Sequence, residues 1–345
     1  MDKSSKIAAF DPNGLAATEE LFGLPFTAEE SDLVIVPVPW EATVSYRAGT
    51  SHGPMAILEA SYQVDLLDAY YPKGWQHGFY MLDEDPALHS LGSDARRKAV
   101  KHIQLLEKGK ENVKGLQQVN AATATMVKTV HEQCKRWLDE GKILALLGGD
   151  HSTPLGLLQA LAEKHPQFGI LQIDAHFDLR KAFEGFTHSH ASIMYNALDL
   201  PQVHKLVQVG IRDYCQEEVD VVAQYPGRIH CFYDRDLRRS VLHGENWWTI
   251  CKRIVHSLPK EVYISFDIDG LDPSLCPNTG TPVPGGLQWE EVLMLLETIV
   301  ESGRKIIGFD LVEVSGATEN EWDAIIGARM LFKLCNLTMA SQNVS

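Results

Sequence analysis

Six stretches of the chain are apolar almost without interruption: "DLVIVPVPW" from Asp32, "ILALLGG" from Ile143, "GILQID" from Gly169, "KLVQVGIR" from Lys205, "EVYISFDID" from Glu261 and "KIIGFDLVEV" from Lys305. A strand with one wet face alternates apolar and polar residues, so an unbroken run reads as a strand covered on both faces, as in a parallel sheet. Between these runs the apolar positions recur at helical spacing. They do so in "GPMAILEASYQVDLL", a long stretch from Ser93 to Glu140, "PLGLLQALAEK", "HASIMYNAL", "NWWTICKRIVHSL", "LQWEEVLMLLETIVESG" and "NEWDAIIGARMLFKLCNL". Strand and helix alternating along the whole length predict an α/β fold with a mostly parallel sheet. No repeat, low-complexity segment or Pro/Ser-rich linker divides the chain, so residues 1–345 read as a single domain, with 1–31 as an N-terminal extension. The stretch 93–118 is the most charged and reads as a solvated helical excursion.

Composition narrows the partners. The 345 residues are 45% hydrophobic, enough for a substantial core, and carry 31 Lys and Arg against 46 Asp and Glu, a net charge of −15. Such a balance argues against a nucleic-acid partner and suits a cationic substrate. The six cysteines are scattered with no C-x-x-C pair, which suggests neither a zinc ribbon nor a disulfide framework. The N-terminus has no basic start followed by an apolar core, and no apolar run is long enough to span a bilayer. A cytoplasmic protein without a membrane partner is the expectation.

The chemistry gathers at strand ends, the edge where parallel α/β sheets bind ligands. Asp174, His176 and Asp178 follow "GILQI" two apart, so an extended chain points all three side chains one way. "YISFDIDGLDPS" ends in Asp267 and Asp269, again two apart. In "ALLGGDHSTP" glycines release the strand and His151 follows, with Ser152 or Thr153 available to cap the next helix. Four aspartates brought together repel one another and resist desolvation, so if these ends are neighbours, cations belong among them. Oxygen and imidazole donors without thiolate suit manganese, magnesium, nickel or cobalt better than structural zinc. Six ligands exceed the need of one ion with an open position, so two ions sharing carboxylates fit the count. Two divalent ions balance four carboxylates, a setting in which water ionises near neutral pH and a trigonal carbon within a cationic group can be hydrolysed.

In this order and at this separation, "GGDHS" at 148, "DAHFD" at 174 and "SFDIDGLDPS" at 265 resemble the three signatures of the ureohydrolase (arginase and agmatinase) family, and the likeness runs from about Asp32 to the end. The resemblance implies a three-layer α/β/α sandwich, assembly into trimers or hexamers, and two divalent ions, manganese or, as in some guanidinases, nickel. Carried onto this chain, one ion would take His151, Asp174, Asp178 and Asp267 and the other Asp174, His176, Asp267 and Asp269, with Asp174 and Asp267 shared. In "THSHASIMY" the family's proton-shuttling histidine falls on His190, with His188 as the competitor. Glu313 of "DLVEVSG" matches the glutamate that pairs with a guanidinium group. The implied reaction is hydrolysis of a small guanidino compound to urea plus an amine or ammonia.

Departures bear on the substrate. After "GIRD" arginases carry a second acidic residue that reads the arginine amino group, and Cys215 stands there, which disfavours arginine. The family's Glu-Val-Asn-Pro is here Glu313-Val314-Ser315-Gly316. "NTGTPVPGGL" looks agmatinase-like, whereas "FDPNG", "GLPF", "VPWEATVSYRAGT" and "YQVDLLD" look closer to the branch that includes guanidine hydrolases. Trp40, Thr43 and Tyr46 follow a strand end and either wall a small substrate pocket or pack the first loop. Formimidoylglutamase is the alternative within the enzymes, kept open by Arg180 and Arg212, and a non-catalytic metal-binding homologue is the alternative outside them.

Overall fold

The six apolar runs are strands, and two further strands join them: β1 (Leu33–Val38), β2 (Phe79–Met81), β3 (Ile143–Gly148), β4 (Phe168–Ile173), β5 (Val203–Ile211), β6 (Ile229–Tyr233), β7 (Glu261–Asp267) and β8 (Lys305–Val312). The computed structural model describes residues 2–16, 18–316 and 321–342. The strands form one sheet in the order β2-β1-β3-β8-β7-β4-β5-β6, and every neighbouring pair is parallel. The two strands missing from the apolar pattern are its edges. β2 has three residues, too few to stand out as a run, and in β6 only Ile229 is buried, so its apolar pattern is broken.

Side chains alternate along the strands into two apolar layers. Leu33 and Ile35 enter one, with helices Gly53–Ser61, Asp234–Leu242, Trp247–His256, Trp289–Glu301 and Trp322–Gln342. Val34, Val36 and Val38 enter the other, with Pro86–Leu106, Val113–Asp139, Leu155–Lys164, Ile193–Leu198 and Gln216–Gln224. This is the three-layer α/β/α sandwich. Each buried Leu or Ile contributes about 1.5–3 kcal/mol relative to exposure, which anchors the strands whose ends then carry costly polar groups.

The charged stretch after Ser93 is no mere solvated excursion. It forms two helices, capped by the side chains of Asp85 and Asn112 and parted at Gly109, whose φ is 66°. Their apolar stripes, including Ala95, Met126, Val130 and Trp137, pack on the sheet. The N-terminal residues likewise join the body: Leu21 and Leu24 are fully buried, and Lys3 Nζ lies 2.8 Å from Asp32 Oδ1. Among the described residues no helix is long and apolar enough to cross a membrane.

Candidate metal centre

The four central strands, β3, β8, β7 and β4, are consecutive in the sheet and deliver their C-terminal ends to one place. His151 follows β3, Glu313 follows β8, Asp267 ends β7 with Asp269 in the turn after it, and Asp174, His176 and Asp178 follow β4. Gly149 makes the first of these turns possible. A Cβ there would sit 2.0 Å from the Trp40 carbonyl oxygen, so only glycine lets the β3 end pass the β1 end. Two site residues, Asp178 (φ 54°) and Glu313 (φ 63°), adopt left-handed backbone, a strain of about 1–3 kcal/mol that persists only where the surroundings hold it.

His151 Nδ1 lies 3.0 Å from Asp174 Oδ2, 3.0 Å from Asp178 Oδ2 and 3.2 Å from Asp267 Oδ2. One ring nitrogen cannot bond three carboxylates at once, and Nδ1 makes no hydrogen bond of proper geometry. Four groups aimed at a common point are arranged as ligands are around a cation. His176 Nδ1 lies 3.1 Å from Asp269 Oδ2 and 3.6 Å from Asp174 Oδ1. Asp174 thus turns one oxygen to each histidine, the geometry of a shared ligand. Asp267 turns Oδ2 toward His151, while its Oδ1 accepts the Asp269 N–H at 2.8 Å. Two donor sets result, His151 with Asp174 and Asp267, and His176 with Asp174 and Asp269.

Electrostatics agrees with the geometry. Burial pushes Asp178 up to about 7, helped by the Asp174 charge, and burial with Asp269 and Asp174 raises Asp267 well above the carboxylate range. Burial opposes charge on His151, but Asp174, Asp178 and Asp267 outweigh it and hold the ring well above its ordinary value. His176 is raised likewise, with Asp269 foremost against burial. Asp174 is pulled down despite burial by its hydrogen bonds with the two histidines. Without ions, therefore, the cluster holds protons where divalent cations fit.

A stability prediction follows for the metal-free protein. A raised folded pKa contributes stability that is complete below the unfolded value, 3.8 for Asp178, and is lost as pH rises through about 7. Asp267, His151 and His176 act in the same sense. His190, whose pKa is lowered, opposes them only below its unfolded value of 6.5. Chelated protein should therefore melt a few degrees lower at pH 8 than at pH 6.5, Asp178→Asn should flatten that slope, and metal-loaded protein should not follow it. Calorimetry showing chelated wild type more stable at pH 8 would contradict the charge assignment.

A cavity of about 200 Å³ opens over the donors. Glu313 lines it: Oε1 accepts the His151 N–H at 2.8 Å, and the Glu313 carbonyl accepts the Thr279 hydroxyl at 2.8 Å. Burial and then Asp150 raise Glu313 well above the carboxylate range, so its charged form calls for a cation. His190 lines the same wall, with Nδ1 3.3 Å from Thr43 Oγ1 and 3.4 Å from Ser189 Oγ, and its ring edge-on to Phe183. Burial first, then the charges of His176 and His151, push it down to about 3. His188 is not in the wall and meets Thr187 Oγ1 at 3.3 Å.

The first loop divides differently from either expectation. Thr43 is buried and touches His190. Trp40 does not wall the pocket: it is fully buried, its indole against Gly92 and its backbone against Gly149. It lies too early after β1, still within the core. Tyr46 is 69% exposed, and Ser45 between them reaches the cavity. Phe183, Tyr214 and Thr281 also line it, and nothing in their local pattern sets them apart from loop residues. Arg212 is committed to the carbonyls of Val283, Gly210, Asp269 and Leu271, whereas Arg180 lines the cavity above the Phe183 ring.

The sequence matches the arginase family over residues 31–336. It is 32% identical over 314 residues to the N(1)-aminopropylagmatine ureohydrolase of Synechocystis sp., with 91% of each chain covered. The fold is similar to that of the agmatine ureohydrolase of Thermoplasma volcanium, with a TM-score of 0.71 at 23% identity over 98% of both chains. It is also similar to Trypanosoma cruzi formiminoglutamase solved with manganese, with a TM-score of 0.70 at 15% identity over 95% of this chain and 98% of that one. At such identities the structural likeness speaks for the fold, while the sequence match spans nearly the whole chain, all six donor residues included. The chain belongs to the arginase family and is a hydrolase of carbon–nitrogen bonds.

Proposed function

We propose that the chain hydrolyses a small cationic guanidino compound, of the agmatine type or guanidine itself, to urea plus an amine or ammonia, with two manganese ions, nickel being the other candidate. Glu313 carries the reading. It is a buried carboxylate fixed at one oxygen by the His151 N–H, its other oxygen without a protein partner among the described residues, at the wall of a cavity over two cation-binding sets. The names of the Synechocystis and Thermoplasma proteins support a guanidino substrate.

His151, Asp174, Asp178 and Asp267 would hold one ion, and Asp174, His176, Asp267 and Asp269 the other. When bound, the ions would polarise water and supply a nucleophile at neutral pH. Glu313 pairs with the guanidinium and fixes the plane of its carbon, where a buried carboxylate interacts far more strongly than a solvated one. Asp178 lines the cavity beside His151 and is placed to accept a hydrogen bond from the nucleophile or intermediate at physiological pH. His190 is neutral at that pH, so it enters the reaction as a proton acceptor and then delivers the proton to the leaving amine. The Thr43 and Ser189 hydroxyls hold its Nδ1 edge, which leaves Nε2 for the exchange.

Assembly as a trimer or hexamer and a cytoplasmic location belong to the same proposal, and six unpaired thiols suit a reducing compartment. A second reading has one observation behind it: the Arg180 guanidinium lines the cavity without a carboxylate partner among the described residues, as a carboxylate-bearing substrate such as formimidoylglutamate would need. Urea release by protein loaded with manganese or nickel, across guanidine, agmatine, aminopropylagmatine, guanidinobutyrate, guanidinopropionate and arginine, tests the proposal. Turnover of one of the cationic compounds is expected, with arginine poor. Absence of urea from all of them, with formamide released from formimidoylglutamate, would replace it by the second reading.

A further inference from the structure

Two pairs of polar side chains lie where parallel strands should be apolar. On β7 and β8, Ser265 and Asp310 are register partners, and on β4 and β5 so are Gln172 and Gln208. All four are fully buried. An unpaired polar group in a core costs about 1–3 kcal/mol, and Val or Leu at these positions would pack without that cost. Fold stability is therefore no reason for their presence. Each pair instead runs back from a cation-binding side chain.

The hydrogen positions follow from the partners. The Asp310 Oδ1 atom accepts the Phe266 N–H at 3.2 Å and the Ser265 hydroxyl at 3.1 Å, which spends the only hydrogen of that hydroxyl. Ser265 Oγ, 2.9 Å from His151 Nε2, can then only accept, so the proton of the neutral ring sits on Nε2 and the lone pair of Nδ1 faces the three carboxylates. In the second pair, the Gln208 amide donates to Gln172 Oε1 at 2.6 Å and to the Phe177 carbonyl at 2.9 Å. The Gln172 amide in turn donates to Asp174 Oδ2 at 2.7 Å and to the His176 carbonyl at 3.2 Å. Both hydrogens of each amide are used, so neither amide can flip.

We infer that Asp310 with Ser265, and Gln208 with Gln172, are positioning residues that preset His151 and Asp174 for metal before an ion arrives. The inference rests on the two-ion reading of the site. Outer partners of this kind tune affinity by about 10–100-fold, and the two pairs should differ in what they tune. Ser265 stands behind a ligand of one ion, Gln172 behind the carboxylate shared by both.

Stepwise manganese titration of the chelated full-length protein, followed by electron paramagnetic resonance, reads this without any substrate. Ser265→Ala should weaken one of two binding steps by about 10–100-fold and leave the other near wild type. Gln172→Met should weaken both. NMR of histidine-labelled protein loaded with diamagnetic magnesium should show the His151 Nε2–H proton sheltered from solvent exchange in wild type, exchanging fast in Ser265→Ala and sheltered again in Ser265→Thr, which restores the hydroxyl. Melting of the metal-free variants, at or above the wild-type temperature, separates positioning from folding. Unchanged affinities in both alanine and methionine variants, or losses no larger than those of an Ile264→Val core control, would overturn the inference. If the titration shows the expected pattern while no guanidino compound is turned over, the functional proposal fails and this one stands.

Discussion

Asp174→Asn is expected to lose both metal ions and catalytic turnover together, with the rate falling by a factor on the order of 10³ or more, because uncomplexed water is a poor nucleophile at neutral pH. Asn has nearly the volume of Asp, so the change tests charge rather than packing. Asp174 is the residue whose two oxygens face the two histidines, at 3.0 Å from His151 and 3.6 Å from His176. An amide in its place removes the one negative charge that both donor sets share. It also sets an NH2 group against a donor: the His176 N–H meets Oδ1 at 2.6 Å, the Gln172 amide meets Oδ2 at 2.7 Å, and an Asn cannot accept at both atoms. The metal-free variant should nevertheless fold, since one fewer carboxylate relieves the repulsion that raises Asp178 and Asp267. Metal analysis beside a urea assay checks it, and two ions at full rate in Asp174→Asn would disprove the shared-ligand assignment.

The donors were legible in the chain because ionisable residues interrupt apolar strands at period two, and an apolar strand has no other use for them. "QIDAHFD" and "SFDID" show this directly. Convergence was not legible, since adjacency of β3, β8, β7 and β4 is a property of strand order, and β4 is separated from β7 by more than eighty residues of chain. The edge strands escaped because β2 is only three residues long and the half-exposed residues of β6 dilute its apolar signal. Trp40 illustrates a different failure: an aromatic just after a strand looks like a pocket wall, yet one residue of register decides whether it faces the cavity or the core, and here it packs on Gly92. Ser265, Asp310, Gln172 and Gln208 carried a signal that the same logic could have used. A polar residue inside a strand buried on both faces needs a partner, and in this sheet the partners lead to the metal ligands.

That placement separates two kinds of polar residue at the sheet edge. Asp178 and Glu313 sit in strained backbone that only the surrounding loops sustain, whereas Asp174 and Asp267 are continuous with strands anchored by two apolar layers. The two carboxylates proposed as shared ligands thus stand on the more rigid element, where pre-organisation is greatest, and Glu313, the residue proposed to pair with substrate, stands on a turn, where a change of specificity need not disturb the ion sites.

His190→Ala should separate turnover from metal binding. The His190 ring contacts Thr43, Ser189 and Phe183, and its Nδ1 edge is engaged by hydroxyls rather than by the donor sets. Its removal therefore leaves His151, His176 and the four aspartates in place, and both ions should remain at wild-type affinity. What is lost is a proton carrier on the cavity wall, which predicts a fall in kcat of about 10²–10⁴-fold with a much smaller change in KM. Because burial above all, and then the charges of His176 and His151, push His190 down to about 3, the ring is already neutral throughout the working range. The acid limb of the wild-type pH profile should accordingly lie elsewhere and keep its midpoint in the variant, while the plateau drops. The space left by the ring also allows a chemical test. Added imidazole should restore part of the rate in His190→Ala and none in Asp174→Asn. Retained ions with undiminished kcat would remove His190 from the proton path, and loss of an ion in His190→Ala would make it a support of the metal site instead.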